Sequence, residues 1–140
     1  MREIKFRGAW HDTCGNIHWA YGLLSYLEEG HRHIEPGWFI SNKVGMAFAY
    51  GIDPQSIGQF TGLKGVNKKD IYESDIVRYK GSDIVWQVCY DRWGIPALAR
   101  VDYPMSTDFK EMEVCHNLTP AKCEVIGNIY ESPELLKENK

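Results

Sequence analysis

Long apolar segments are absent from this sequence. None of its 140 residues lies in a run that approaches the ~20 apolar residues of a membrane-spanning helix. The start, Met1-Arg2-Glu3-Ile4, also lacks the apolar region of a secretory signal. We therefore expect a cytoplasmic protein with no membrane partner.

Motifs for cofactors and for covalent catalysis are absent as well. The cysteines, Cys14, Cys89, Cys115 and Cys123, include no close-spaced pair of the kind that zinc sites use, and a reducing cytosol keeps such thiols free. The segment Gly62-Leu63-Lys64-Gly65 has neither the P-loop spacing nor that of a dinucleotide-binding loop. Because no cysteine or histidine lies in a nucleophile motif, the sequence predicts neither a cofactor nor an enzyme.

Net charge is small. Sixteen Lys and Arg residues against 19 Asp and Glu give a formal charge of −3, so no overall field draws the chain to nucleic acid or to an anionic membrane. Any such partner would need a local patch of one sign. What the chain does contain is a surplus of aromatic residues, 13% of the total, within a composition that is 44% hydrophobic. This composition indicates a globular protein with one core or two small ones.

Alternating apolar residues predict an antiparallel hairpin near the N-terminus. Ile4 and Phe6 alternate with charged residues, and apolar residues recur at every second position from 17 to 23. The turn chemistry of Asp12 to Asn16 joins the two segments. With further short strands, residues 1–61 are expected to form an N-terminal β subdomain.

Five short strands separated by turn residues predict a small barrel over residues 62–140. They are Ile76–Tyr79, Ile84–Tyr90, Ala97–Tyr103, Glu113–Val114 and Val125–Tyr130. The approach through Glu73-Ser74-Asp75 resembles the strand entry of SH3-like barrels. A boundary is expected in the glycine- and lysine-rich segment after residue 61, although one integrated domain over residues 1–140 is the alternative.

A short helix is expected at the C-terminus. Ser132 can cap its first amides, Pro133 suits its first position, and Glu134 complements its dipole. The predicted fold is thus mainly β, with an N-terminal hairpin subdomain packed on an SH3-like barrel that this helix follows.

Three blocks of the sequence resemble the YopX family of phage and prophage proteins. The blocks are Ile4–Gly8, Ile57–Val77 and Val125–Leu136. That family has no established activity, so the resemblance implies a β-rich, self-assembling protein in a bacterial host and supplies no catalytic residues. The matching residues are expected to determine turns and strand pairing. They are Gly58, Gln59, Thr61, Gly62, Glu73, Asp75, Gly127 and Asn128.

Two positions depart from the family pattern. The family usually has glycine where this chain has Ser74, and Asn-Gly where it has Asn67-Lys68. Asn67 tolerates the left-handed backbone region, and Ser74 can bond its own backbone. Both turns are therefore expected to form, at a higher cost than with glycine.

The function that best fits these features is a non-enzymatic, oligomeric binding or assembly module. Its expected partners are further copies of the chain and a phage or host macromolecule. Trp38-Phe39-Ile40 and Trp93 lie next to turn signals, where large apolar side chains form interfaces.

Two alternatives stay open. A small barrel that binds single-stranded nucleic acid would contact phosphates through lysine and arginine and stack bases on tyrosine. The residues for those roles are Lys64, Lys68, Lys69, Arg78 and Lys80, with Tyr72 and Tyr79 as stacking platforms. A metal-dependent enzyme would use either the acids Asp70, Glu73 and Asp75 or the histidines and cysteines of the chain. The same acids can instead accept backbone hydrogen bonds in turns.

Overall fold

Antiparallel strands make up almost all of the regular structure in the computed structural model, which describes residues 3–30, 32–41, 49–100 and 114–135. The strands in these ranges are β1 (Phe6–His11), β2 (Ile17–Leu27), β3 (Gly37–Ser41), β4 (Tyr50–Gly51), β5 (Gly58–Lys64), β6 (Asp70–Tyr72), β7 (Asp75–Tyr79), β8 (Val85–Tyr90), β9 (Pro96–Arg100), β10 (Val114–Asn117) and β11 (Cys123–Asn128). Single 3-10 turns lie at Pro54–Ser56 and Pro120–Lys122. The expectation of a mainly β protein is confirmed.

The first compact unit, Met1–Phe60, is built on the long strand β2. Residues 17–22 of β2 pair with β1, and residues 23–27 pair with β3, both antiparallel. Within this unit the strand order is β4-β3-β2-β1, with the first residues of β5 paired beside β1. The turn between β1 and β2 closes through a 3.0 Å bond from Asp12 N to Asn16 O, with Gly15 at φ +84°. The predicted hairpin is therefore the middle of a wider sheet.

One face of β1, β2 and β3 forms the core of this unit. The buried side chains of Ala20, Ile40 and Ile52 are its centre. Partly buried residues pack around them, namely Phe6, Trp10, Leu24, Trp38 and Ile57. Gly8 lies where a Cβ would meet the Ile52 and Ile40 side chains, so only glycine fits without a shift.

The second compact unit, Thr61–Lys140, contains a sheet with the order β10-β9-β8-β7-β11. Strands β7 to β10 follow one another as a meander, and β11 returns to pair with β7. Its core consists of buried side chains from several strands. These are Ile71, Val77, Trp86, Val88, Leu98, Leu118 and Cys123.

Several details differ from the sequence-based expectations. Within the described residues the two sheets are open, with no pairing between β10 and β11, so a closed barrel is not found. Gly62 and Lys64 belong to strand β5 and not to a flexible loop. Both the unit boundary and the predicted domain boundary fall inside β5, and the division into two domains stays a prediction.

Of the predicted C-terminal helix, the described residues show a 3-10 turn at 133–135, and residues 136–140 lie outside the described ranges. The turn begins with a bond from Leu135 N to Ser132 O of 3.1 Å. In the described ranges no helix has the length and apolarity needed to cross a bilayer.

Candidate interaction surfaces

A row of apolar side chains lines the outward face of β2. Ile17, Trp19, Tyr21 and Leu23 occur at every second residue and so share one face of the strand; we call them the β2 row. Ile17, Tyr21 and Leu23 are 42%, 46% and 53% exposed, and Trp19 is half-buried. A contiguous apolar surface of this kind is typical of an interaction site.

Strand β1 supports the middle of the β2 row. Ala9 and Arg7 pair in register with Trp19 and Tyr21, and Ala9 is fully buried. The Arg7 guanidinium carbon lies 5.0 Å from the centroid of the Trp19 ring, which is a cation–π distance. The largest side chain of the row is therefore held in place before any partner arrives, and this lowers the entropic cost of binding.

Three aromatic rings stack on the opposite face of the same sheet. Trp10 lies between His18 and Tyr50, with ring centroids 4.5 Å and 5.2 Å away and interplanar angles of 21° and 13°. Asp12 Oδ2 accepts a 2.8 Å hydrogen bond from His18 Nε2. That bond, followed by those from Asn16, holds the pKa of the Asp12 carboxyl well below its usual value. Because Trp10 also packs on the core, this ring column fixes the end of the hairpin.

A cavity of about 450 Å³ lies beside β3. Its walls include Pro36, Trp38 and Phe39, and its polar side chains are the exposed His33 and Glu35. Of the predicted interface segment Trp38-Phe39-Ile40, the structure thus brings the first two residues to a cavity wall and buries Ile40 completely. The cavity is large enough for a small ligand, but it lacks buried polar groups of the kind that orient one.

The turn between β8 and β9 presents Trp93, which is 74% exposed. Asp91 Oδ1 accepts bonds from Trp93 N at 2.8 Å and from Ile95 N at 2.9 Å, so the turn is internally fixed. Arg92 lies over the indole at 5.2 Å from its centroid. Trp93 is thus at the surface, and its expected role in an interface stays a prediction.

The residues proposed to contact nucleic acid divide into two groups. Lys64 Nζ forms an ion pair with Asp70 at 3.4 Å, and Arg78 Nε forms one with Glu124 at 3.3 Å. The side chains of Lys68, Lys69 and Lys80 are exposed. The charges of Lys64 and Arg78 are therefore partly neutralised, whereas the other three lysines face solvent.

The two tyrosines proposed as stacking platforms do not offer open rings. Tyr72 is 3% exposed. Tyr79 is half-buried and packs against the core of the second unit, where its side chain also hydrogen-bonds to Cys123. A base could stack on Tyr72 only after the surrounding structure had moved.

The family-motif residues of β5 lie at its pairings and at a bend. Gly58 and Gln59 pair with Arg7 and Phe6 of β1. Thr61 is 2% exposed, and its hydroxyl donates to Ile71 O at 2.7 Å while accepting from Leu63 N at 3.2 Å. Gly62 follows with φ +84°, a conformation that favours glycine. These contacts place β6 beside the second half of β5.

The remaining motif residues surround the start of β7. Asp75 is 1% exposed and accepts a 2.7 Å bond from Tyr72 N, with Glu73 half-buried in the turn between them. Asn128 is the partner of Asp75 in the β7–β11 register, and its side chain accepts bonds from Tyr130 N and Glu131 N at 3.0 Å and 2.9 Å.

Gly127 follows a register shift in β11 and leaves room that other side chains fill. A Cβ there would lie 2.9 Å from Leu135 Cδ1 and 3.1 Å from Ser132 Cβ. The final turn of the described chain can therefore approach the strand closely.

Asp70, Asp75 and the Cys89 thiol have structural explanations in the described part of the chain. Asp70 pairs with Lys64, and Asp75 bonds a backbone amide within its turn. No group of three or more His, Cys, Asp or Glu side chains in the described ranges could hold a metal ion. Burial raises the pKa of the Cys89 thiol to about 11, which opposes thiolate formation near neutral pH.

Two features were not identified from the sequence. The period-2 pattern indicated the strand that carries the β2 row, but not that this face is exposed. Lys122, an exposed residue next to the predicted basic residues, was not singled out, because it is more than 40 positions from them in sequence. The pairing of Cys123 with Tyr79 brings it near them in the folded chain.

The described residues form two antiparallel sheets, and their helical structure is limited to short 3-10 turns. The chain belongs to the YopX protein family, whose model matches residues 5–137. Among solved structures it is similar to protein EF1440 from Enterococcus faecalis, with 20% identity, a TM-score of 0.52, and coverage of 97% of this chain and 99% of that one. This likeness shows a shared fold. A comparison with curated proteins finds no match.

Proposed function

We propose that this chain is a non-enzymatic assembly module in which the β2 row of one copy packs against a second copy. The observation that carries the proposal is the 42–53% exposure of Ile17, Tyr21 and Leu23 on a strand whose other face already belongs to the core. A sheet with a second apolar face gains stability when that face packs on another sheet.

A second copy is the partner that suits the β2 row best. The row contains no charged side chain, so it offers no ionic complement to a partner of opposite charge. In a two-fold dimer the same surface of each copy contacts its counterpart, and a surface that is apolar throughout is complementary to itself. Trp19 and Tyr21 in the middle of the row are residue types enriched at the centres of interfaces.

The dimensions of the row fit the central part of such an interface. Alternate residues of a strand are about 6.7 Å apart, so four of them extend over about 20 Å. A stable dimer buries about 800 Å² on each partner, which is more than this row supplies alone. The exposed His11 and Ser25 lie on the same face and would belong to its polar rim.

The cellular context of the proposal comes from the family resemblance. The assembled protein would act in the cytoplasm of a bacterial host, encoded by a phage or a prophage, and would contact a phage or host macromolecule.

We also propose an SH3-like topology for the second unit. The support for it is the order of its strands: a four-strand meander and a 3-10 turn precede a fifth strand that pairs with the first strand of the meander.

A matched pair of variants tests the proposal by light scattering. Leu23→Glu places a charge in the β2 row, whereas Ile84→Glu places one in the second unit, at a position that is 41% exposed. We expect wild type and Ile84→Glu to have at least twice the mass of one chain, and Leu23→Glu to have the mass of one chain. Circular dichroism and thermal unfolding show whether each variant is folded. A folded Leu23→Glu protein that keeps the wild-type mass would contradict the role of the row.

A further inference from the structure

Four exposed lysines gather at one end of the second unit, and we call them the lysine patch: Lys68, Lys69, Lys80 and Lys122. They come from three separate segments of the chain. Lys80 follows β7, Lys122 precedes β11, and Lys68 and Lys69 lie in the turn between β5 and β6.

Backbone hydrogen bonds hold these three segments side by side. Lys80 N donates to Lys122 O at 3.0 Å, and Val66 N donates to Cys123 O at 2.8 Å. Adjacent hydrogen-bonded segments are about 4.8 Å apart, so the backbones of all three lie within about 10 Å of one another.

The turn that carries Lys68 and Lys69 is itself fixed. Gly65 N donates to Lys69 O at 2.9 Å, and Lys68 N donates to Gly65 O at 3.0 Å. A Cβ on residue 65 would lie 2.7 Å from Cys123 O, so the glycine permits this close approach. The patch therefore belongs to the folded unit and does not depend on a loose loop.

The local charge is positive although the chain as a whole is acidic. The nearby cations Lys64 and Arg78 have their own carboxylate partners, Asp70 and Glu124. In the described residues no ion pair involves a member of the patch, and the exposed Asp83 is the carboxylate nearest to Lys80 in sequence. Four lysines thus remain available to a polyanion.

We propose that the lysine patch binds the phosphate backbone of nucleic acid through charge and without base stacking. Lysines neutralise phosphates in a way that does not depend on base sequence. Because Tyr72 is buried and Tyr79 packs in the core, the stacking platforms that favour single strands are missing. Duplex DNA, with one charge per about 1.7 Å of helix axis, is the better match.

An anionic membrane suits the patch less well. Stable attachment to a bilayer usually combines basic residues with an apolar anchor. The turn that carries Lys68 and Lys69 offers only Val66, which is 37% exposed. The inference is independent of the β2 row, which lies in the first unit.

Fluorescence anisotropy with a labelled duplex and the matching single strand tests the inference. With four phosphate contacts, log K for the duplex should fall with log salt at a slope of about −3.6, a loss of about 150-fold between about 50 and 200 mM salt. Single Lys80→Gln and Lys122→Gln variants should each reduce that slope by about 0.9. The single strand should bind no more tightly than the duplex.

The control is Arg92→Gln, which removes one positive charge at the opposite end of β8. It should leave the duplex affinity and slope unchanged. A variant that combines Lys68→Gly, Lys69→Gln, Lys80→Gln and Lys122→Gln should lose binding while keeping its circular dichroism spectrum and thermal transition. Glycine is chosen at position 68 because it suits the φ of +58° there.

Three results would overturn the inference. The first is an absence of duplex binding at low salt, and the second is a loss in Arg92→Gln equal to that in Lys80→Gln. The third is binding of wild type to vesicles that contain anionic phospholipid with no binding to DNA. None of these results bears on the mass measurements that test the β2 row.

Discussion

At the scale of single residues, the backbone of Ser74 is unusual. Arg32, Lys68 and Ser74 have φ values of 55°, 58° and 72°, in the left-handed region that side chains other than glycine resist. Ser74 N donates to Val88 O at 2.9 Å, and Ser74 O accepts from Ile129 N at 3.0 Å. Both bonds use only the backbone, so they hold residue 74 in this conformation whatever its side chain is.

Replacing Ser74 with glycine should therefore stabilise the protein. The substitution removes the strain of a left-handed serine, about 1 kcal/mol, and keeps both backbone bonds. In a chain of this size the gain corresponds to an increase in Tm of about 4 °C. Thermal unfolding of Ser74→Gly, and of Ser25→Gly at an exposed position of β2, checks this. Ser25→Gly should lower the Tm, and a Ser74→Gly protein no more stable than wild type would contradict the strain argument.

The departures from the family pattern made the position of this strain partly predictable. Ser74 replaces the usual glycine and adopts the conformation that glycine favours. At the other turn the expected residue was wrong, because Lys68, and not Asn67, has the positive φ. The family's glycine corresponds to Lys68, and the bond between Lys68 N and Gly65 O closes the turn with this residue in the left-handed region.

Asp12 should make the stability of the hairpin sensitive to acid. Its carboxylate accepts bonds from His18 and Asn16, which lower its pKa in the folded protein below the usual 3.8. A lowered folded pKa means that the stabilisation is present above about 3.8 and is lost as the pH falls below it.

The comparison that checks this is urea unfolding of wild type and Asp12→Asn over a pH series. The difference in unfolding free energy should be largest near neutral pH and should close as the pH falls below 3.8. The same comparison in a His18→Gln background should give a smaller difference in unfolding free energy. The reason is that the hydrogen bond from His18 is the largest cause of the lowered Asp12 pKa. A difference that stays constant with pH would show that the carboxylate charge is not what stabilises the turn.

At the scale of elements, β2 has apolar residues on both faces. Ala20 and Leu24 belong to the core, whereas Trp19, Tyr21 and Leu23 lie on the other face. Alternation predicted a strand here, but when both faces are apolar the pattern does not say which one is buried. Packing with Ile40 and Ile52, which are distant in sequence, decides it.

That packing depends on the absence of a side chain at Gly8. A Cβ at this position would meet Ile52 and lie 3.1 Å from Ile40 Cδ1. Gly8→Ala should cost about 1–3 kcal/mol, the usual effect of overpacking a core. Gly51→Ala is the matched control, since its Cβ would make an ordinary 3.4 Å contact with the Phe39 ring. Denaturant unfolding that gives the two variants equal stability would contradict this account of the core.

At the scale of the whole molecule, local patterns predicted the strands better than they predicted the surfaces. The strands of the second half follow the expected order, because each is bounded by turn residues such as Gly81 and Gly94, both at positive φ. The complete lysine patch could not be predicted from the sequence, because its fourth member, Lys122, joins the others through long-range contacts such as the pairing of β11 with β7. A net charge of −3 likewise conceals a local group of positive charges.

The central claim is that copies of this chain associate through an apolar surface. Its most direct test is the molar mass of wild type by light scattering, over a dilution series at low and at moderate salt. We expect at least twice the mass of one chain, with little change between the two salt concentrations, because apolar contacts are not screened. The mass of a single chain at every concentration and in both salts would contradict the account.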